Sequence, residues 1–167
     1  MGKVRPLSYR SYQSTDDRFI IDAALLTMKK IFEESTGCSL TEDVIREQLN
    51  ANETTRIIEQ NGKPIGYYGY TVYPSRKMYW SALILIPTAQ HRGLGNQVVR
   101  QVEKEALAKG VRVIEGHVQT ANKRALSFWI KNGFQTVGSP FQGMIEIRKK
   151  LQRINEARDV KKPVCRR

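Results

Sequence analysis

The stretch from Ala82 to Gly110, ALILIPTAQHRGLGNQVVRQVEKEALAKG, sets the tightest limit on what this chain can fold into. An apolar run stops at Pro87, Gly93 and Gly95 follow two positions apart, and apolar residues then recur with helical spacing. Val98, Val99, Val102, Ala106 and Leu107 share one helix face, and Gly110 closes the helix. A strand is thus joined to a helix by a turn of nearly bare backbone. The first turn of a helix offers unpaired N–H groups and the positive end of the helix dipole. Glycines ahead of it let an anion approach without a Cβ in the way, which suits phosphate or pyrophosphate.

The spacing excludes two familiar phosphate loops. No GxxxxGK[ST] string occurs, and Gly95 is followed three positions on by Val98 rather than by glycine or alanine. The turn also comes in mid-chain, behind antiparallel strands. Asn61-Gly62 is a two-residue hairpin signal joining TTRIIEQ to KPIGYYGYTVYP, and KMYWSALILI follows as a third, more buried strand. Upstream, DDRFIIDAALLTMKKIF predicts a helix with Phe19, Ala23, Leu26 and Lys30 at helical spacing. SLTEDVIREQL predicts another, opened by Ser39 with Glu42 as its capping-box partner. LSYRSY is a candidate first strand. Downstream come a strand (VRVIEGHV), a short helix stopped at Asn132-Gly133, and two closing strands, QTVG and MIEIRKKL. The order β-α-α-β-β-β-α-β-α-β-β predicts an α+β fold, with a mixed, largely antiparallel central sheet flanked by helices.

The string Gln90-His91-Arg92-Gly93-Leu94-Gly95 resembles the acetyl-CoA loop of the GCN5-related N-acetyltransferase (GNAT) superfamily, Q/R-x-x-G-x-G/A. Asn122 to Phe134, NKRALSFWIKNGF, is similar to that family's N-x-x-A-x-x-x-Y-x-x-x-G-F helix, and Ile65-Gly66-Tyr67 to the strand motif ahead of its apolar strand. The resemblance implies a GNAT fold and acetyl-CoA as co-substrate. By it, N–H groups from His91 to Asn96, including those of Arg92, Gly93, Leu94 and Gly95, would hold the CoA pyrophosphate. His91 and Arg92 would suit the 3′-phosphate, and Gln90 belongs to the same loop. Leu83, Ile84 and Leu85 would pair with the pantetheine arm, and the Leu85 N–H would polarise the thioester carbonyl. Asn122, which also reads as an N-cap, would contact the pantetheine, with Phe128 and Trp129 nearby on the same helix.

Two positions depart from the family pattern. The tyrosine that serves many members as general acid is here Trp129, whose indole N–H has no acidity to offer. The glutamate that several members use as base, five residues before the Asn, is here His117. An imidazole can take a proton from an ammonium at neutral pH, directly or through water. Glu115, on the same strand face, is the candidate to orient or replace it. Glu33 and Glu34 lie where the family builds its acceptor site. Among Tyr67, Tyr68, Tyr70, Tyr73 and Tyr79, one could supply the missing acid or line the acceptor pocket; alternation sends Tyr68 and Tyr70 to one face and Tyr67 and Tyr73 to the other.

Composition bounds the rest. With 167 residues, 40% hydrophobic and 26% charged, the chain is expected to form one globular domain, residues 1–151, before a basic tail, 152–167. No stretch approaches the roughly 18 apolar residues of a membrane helix. The opening MGKVRPLSYRSYQS lacks the apolar core of a signal peptide, so a cytoplasmic location is expected. Cys38 and Cys165 are far apart and His91 and His117 are the only histidines, so no disulfide framework and no metal site are expected. The net charge is +12, and the last twenty residues hold nine Lys/Arg against two Asp/Glu. Such a tail suits an anionic surface, nucleic acid included, although it carries no aromatic residue to stack on bases.

The expectation is an N-acetyltransferase moving acetyl from acetyl-CoA to a primary amine, on a small molecule or a protein, by direct attack in a ternary complex. Two other readings stay open: a CoA-binding regulatory protein with little catalysis, and a nucleic-acid-associated protein docked through its tail. Homodimerisation through strands near the C-terminus is compatible with the sequence.

Overall fold

The computed structural model describes residues 5–152. The expected basic tail therefore lies outside the described residues, apart from Gln152. Strands β1 (Leu7–Ser11), β2 (Thr54–Gln60), β3 (Lys63–Tyr73), β4 (Lys77–Leu85), β5 (Val113–Gln119), β6 (Gln135–Phe141) and β7 (Met144–Lys150) form one sheet in the order β1-β2-β3-β4-β5-β7-β6. Helices α1 (Asp17–Thr36), α2 (Glu42–Ala51), α3 (Leu94–Ala108) and α4 (Lys123–Lys131) complete it. Every strand pair is antiparallel except β4 with β5. Element order and sheet character are those expected from the sequence.

The sheet buries both faces. On one side α3 lays Leu94, Val98, Val99, Val102 and Ala106 against Ile58, Tyr68, Tyr70, Met78, Trp80 and Ile114. On the other, α1 and α2 bring Ile20, Ile21, Ala24, Ile45 and Leu49 against Ile57, Tyr67 and Ile84. Tyr67 and Tyr68 fall on opposite faces, as alternation requires. Asn61 and Gly62 both take positive φ (56° and 73°), the conformation that the Asn-Gly hairpin signal predicts.

Four local expectations are corrected. The buried stripe of α1 is Ile20, Ile21, Ala23 and Ala24, whereas Leu26 is 71% exposed and Lys30 faces solvent. The N-cap of α2 is Thr41, whose hydroxyl accepts from the Val44 N–H at 3.3 Å, and not Ser39. Leu40 is buried, so the chain stays extended one step further before the helix can start. Leu107 is 40% exposed at the margin of the α3 face. Finally, β4 is not a uniform buried strand. Gly69 pairs with Ala82 but Tyr70 pairs with Trp80, so Ser81 is an extra residue in a β-bulge. The Ser81 hydroxyl lies 2.5 Å from Asn52 Oδ1 and 3.0 Å from the Gly69 carbonyl, which pins the bulge. Met78 and Trp80 consequently face α3, whereas Ile84 faces α1 and α2.

Candidate active site

Just before the bulge the sheet opens. The parallel pairing of β4 with β5 covers only Lys77–Val113, Met78–Ile114 and Tyr79–Glu115, although β4 continues to Leu85 and β5 to Gln119. Beyond Tyr79 the two strands part. The Ile86 N–H donates to the Ile65 carbonyl at 2.9 Å, which fixes the phase of the antiparallel ladder with β3. By alternation Ile84 turns its backbone to β3, and Leu83 and Leu85 turn theirs to the open side. The Leu85 carbonyl is taken there by the side-chain amide of Gln90 at 2.8 Å. Gln90 thus clamps the end of β4 to the turn beyond it, and the Leu85 N–H faces the gap.

Past Gln90 the backbone enters left-handed geometry twice, at His91 (φ 62°) and Gly93 (φ 71°), before α3 begins at Leu94. Gly93 is the helix N-cap; no side chain caps the helix, and its first turn carries no acid. The N–H groups of that turn are left for an anion. The two glycines serve different ends. A Cβ on Gly93 would meet nothing within 4 Å, whereas a Cβ on Gly95 would strike the Phe128 ring. Gly95 therefore allows α4 to pack on α3, and Phe128 lies beneath the turn rather than lining the cleft. Asn96 is tied to α4 through Asn132 Nδ2 at 3.0 Å. His91 Nε2 lies 3.0 Å from an Arg124 guanidinium nitrogen, adding a cation from α4 to the basic edge of the turn.

The gap widens into a cleft of about 360 Å³. Its inner end is bounded by Trp80, Leu83, Asn122, Ala125 and Trp129. Asn122 caps α4, accepting from the Ala125 N–H at 3.1 Å. Trp129 is held edge-on by Trp80, Phe128 and Phe134, with ring centroids 4.8, 5.1 and 5.0 Å away. The outer end lies between the α1–α2 layer and the aromatic residues Tyr67, Tyr73 and Tyr79. His117 also lines the cleft, with Nδ1 2.9 Å from the Tyr79 hydroxyl. Burial pushes the Tyr67 and Tyr79 hydroxyls above the ordinary phenol range, so both stay protonated at neutral pH.

The carboxylates singled out from the sequence are otherwise engaged. Glu115 pairs with Arg148 at 3.1 Å and Lys77 at 3.4 Å, so Tyr79 and not Glu115 is the polar partner of His117. Glu33 pairs with Lys29 at 2.5 Å and Glu34 with Lys30 at 3.9 Å on the outer surface of α1. The sequence alone leaves Tyr79 among five equivalent tyrosines and gives no sign of Arg124; strand register selects the first, and α4 packing the second. Among the described residues no cluster of His, Cys, Asp and Glu suits a metal ion, and no helix is long and apolar enough to cross a membrane.

Comparison with known proteins agrees with this architecture. The fold is similar to the PaiA N-acetyltransferase from Thermoplasma acidophilum in complex with coenzyme A, at 21% identity and a TM-score of 0.71 over 87% of this chain and 99% of that one. It is similar to the ribosomal-protein-S18-alanine N-acetyltransferase from Escherichia coli, at 16% identity and a TM-score of 0.70 over 91% and 98% of the two chains. A GNAT family acetyltransferase from Elizabethkingia anophelis with acetyl-CoA bound matches at 15% identity and a TM-score of 0.70 over 89% and 100%. The profile of the acetyltransferase (GNAT) family matches residues 25–134, a span that takes in both glycines, the parted strands and the whole of α4. The chain belongs to the acetyltransferase (GNAT) family.

Proposed function

We propose that the protein is an N-acetyltransferase that moves the acetyl group of acetyl-CoA to a primary amine by direct attack within a ternary complex. The observation that carries this reading is the parting of β4 and β5 beside the uncapped N-terminus of α3. The thioester supplies an activated acyl carbon, so the new N–C bond forms as the C–S bond breaks and the thiol is released. The residues present fit that co-substrate. N–H groups between His91 and Asn96 hold the pyrophosphate, and His91, Arg92 and Arg124 face the 3′-phosphate. Leu83 offers the pantetheine arm the backbone groups that β5 leaves unpaired, Leu85 keeps its N–H for the thioester because Gln90 holds its carbonyl, and Ile84 between them holds β4 to β3. The Leu85 N–H donates to the carbonyl oxygen, and the Gln90 clamp on the Leu85 carbonyl fixes the direction of that donor. Asn122 and Trp129 close the inner wall.

Proton movement falls to Tyr79 and His117. The amine reaches the cleft as an ammonium and must lose a proton before attack. The Tyr79 hydroxyl, 2.9 Å from His117 Nδ1, accepts that proton at Oη while passing its own to Nδ1. Trp129 has no exchangeable proton of suitable acidity, so Tyr79 is also the group placed to return one to the departing thiolate. Glu115 stays in its ion pairs and takes no part.

Calorimetric titration of the protein with acetyl-CoA tests the reading. The wild-type chain is expected to bind. Gly93→Trp should weaken binding about tenfold or more by filling the approach to the helix N-terminus. Gly93→Ala bears the same cost of a positive φ without the bulk and should bind nearly as well as wild type. No binding by the wild type removes the proposal.

A further inference from the structure

With the acyl donor at the inner end of the cleft, the outer end receives the acceptor, whose identity is inferred on the footing of the acetyltransferase reading. The helical wall there is apolar: Ala24, Met28, Phe32, Leu40 and Ile45 come from α1, α2 and the segment between them. The facing strands add the rings of Tyr67, Tyr73 and Tyr79. The polar groups at this end, Gln48, Asn52, Thr71 and Ser81, are all uncharged, and the Asn52 and Ser81 side chains already bond each other. Among the described lining residues there is no Asp, Glu, Lys or Arg.

The nearby carboxylates are engaged elsewhere, that of Glu53, beside Asn52, accepting from the Val72 N–H at 3.0 Å. Glu146 sits across the β5–β7 pair from His117, but its carboxylate lies 3.4 Å from Arg148, which also holds Glu115. Glu33 and Glu34 are paired on the outside of α1. A second ammonium carried into this cleft would meet no counter-charge, and a carboxylate would meet no fixed cation, only the His117 imidazole that the reaction itself requires as proton acceptor. Burying either without a partner is costly, whereas an alkyl or aryl body replaces water against apolar walls. The volume works in the same direction. Ligand pockets span about 300–1,000 Å³, and 360 Å³ must also hold the end of the acyl donor, so the part of the acceptor that enters the cleft is small.

From these observations we infer that the acceptor is a small primary monoamine whose body is uncharged and apolar, aryl or branched alkyl, and that polyamines and free amino acids are discriminated against. The same walls assist the chemistry, because an ammonium entering a cleft without a carboxylate is driven toward its neutral, nucleophilic form.

The test uses the full chain saturated with CoA, titrated with four probes, and with acetyl-CoA in parallel to follow thiol release. 2-Phenylethylamine has the apolar body alone, phenylalanine adds a carboxylate, phenylalaninamide replaces that carboxylate by a neutral group, and 1,4-diaminobutane carries a second ammonium. The two uncharged-body amines are expected to bind, and where turned over to react, at least tenfold better than the two charged ones. Gln48→Glu, an exposed position on α2, should raise the relative affinity for 1,4-diaminobutane about tenfold by supplying the missing counter-charge. Equal or tighter binding of phenylalanine or diaminobutane by the wild-type protein overturns this inference while leaving acetyl transfer standing. Failure to bind acetyl-CoA at all removes both.

Discussion

Tyr79 owes its position to strand register. It is the last residue of β4 that pairs with β5, so its ring stands at the point where the strands separate and its hydroxyl reaches His117 on the neighbouring strand. Tyr79→Phe keeps the ring and removes only the proton path. It is expected to lower kcat roughly a hundredfold or more with the KM for acetyl-CoA unchanged, since positioned proton transfer contributes on that scale. Steady-state kinetics on the variant decides this, and an unchanged kcat would return the proton to another group. At this scale the sequence is legible where chemistry is local. Gln90, the glycine pair, Asn122, His117 and the anomalous Trp129 are all readable from spacing and from the family pattern. Partners are not legible, because the Tyr79–His117 and His91–Arg124 pairs join residues 38 and 33 positions apart. The purpose of Gly95 is also hidden, since the ring that demands a missing Cβ belongs to Phe128 on a different helix.

The helical layer over the cleft is moored at the start of α1. Asp16, at its N-cap, is buried and receives both terminal nitrogens of Arg10 from β1 at 2.8 Å, together with the Gln13 N–H at 2.8 Å. Arg10 also binds Glu59 on β2, so one guanidinium joins two strands and a helix. The Arg10 hydrogen bonds hold the Asp16 carboxyl below its ordinary range, and the backbone N–H adds to this against the opposing effect of burial. A carboxylate with a depressed folded-state pKa stabilises the fold fully above its unfolded value, about 3.9, and the contribution is lost as pH falls through the folded value. Asp16→Asn should therefore destabilise the protein by about 1–3 kcal/mol at pH 7. It should also flatten the loss of stability below about pH 4, measurable as Tm against pH. Equal acid slopes for the two proteins would sink the assignment. Element types and order are legible because long periodic stretches and the Asn-Gly turn are local signals. The buried faces are less so. The stripe of α1 is set by how the helix crosses the sheet, which its own sequence does not encode, and the bulge at Ser81 shows only as one polar residue inside an apolar run.

As a whole the molecule is two sheet segments, β1–β4 and β5–β7–β6, joined by three residue pairs and spanned by helices on both sides. A co-substrate bonded to the Leu83 and Leu85 backbone would close that seam, and ligand at a hundred times its Kd adds about 2.7 kcal/mol to stability. Amide exchange monitored with and without acetyl-CoA should show slowing concentrated at Leu83–Leu85 and in the first turn of α3. Protection spread evenly over the chain would mean that the ligand sits elsewhere. The two unpaired edges that make the cleft carry a further consequence. Strand edges with free N–H and C=O groups are templates for pairing with other chains, and proteins ordinarily blunt or cover them. Here they cannot be covered without losing the cleft. An acyl donor bound there would cover both edges, so acetyl-CoA in the surroundings would protect this protein from aggregation as well as feed its chemistry.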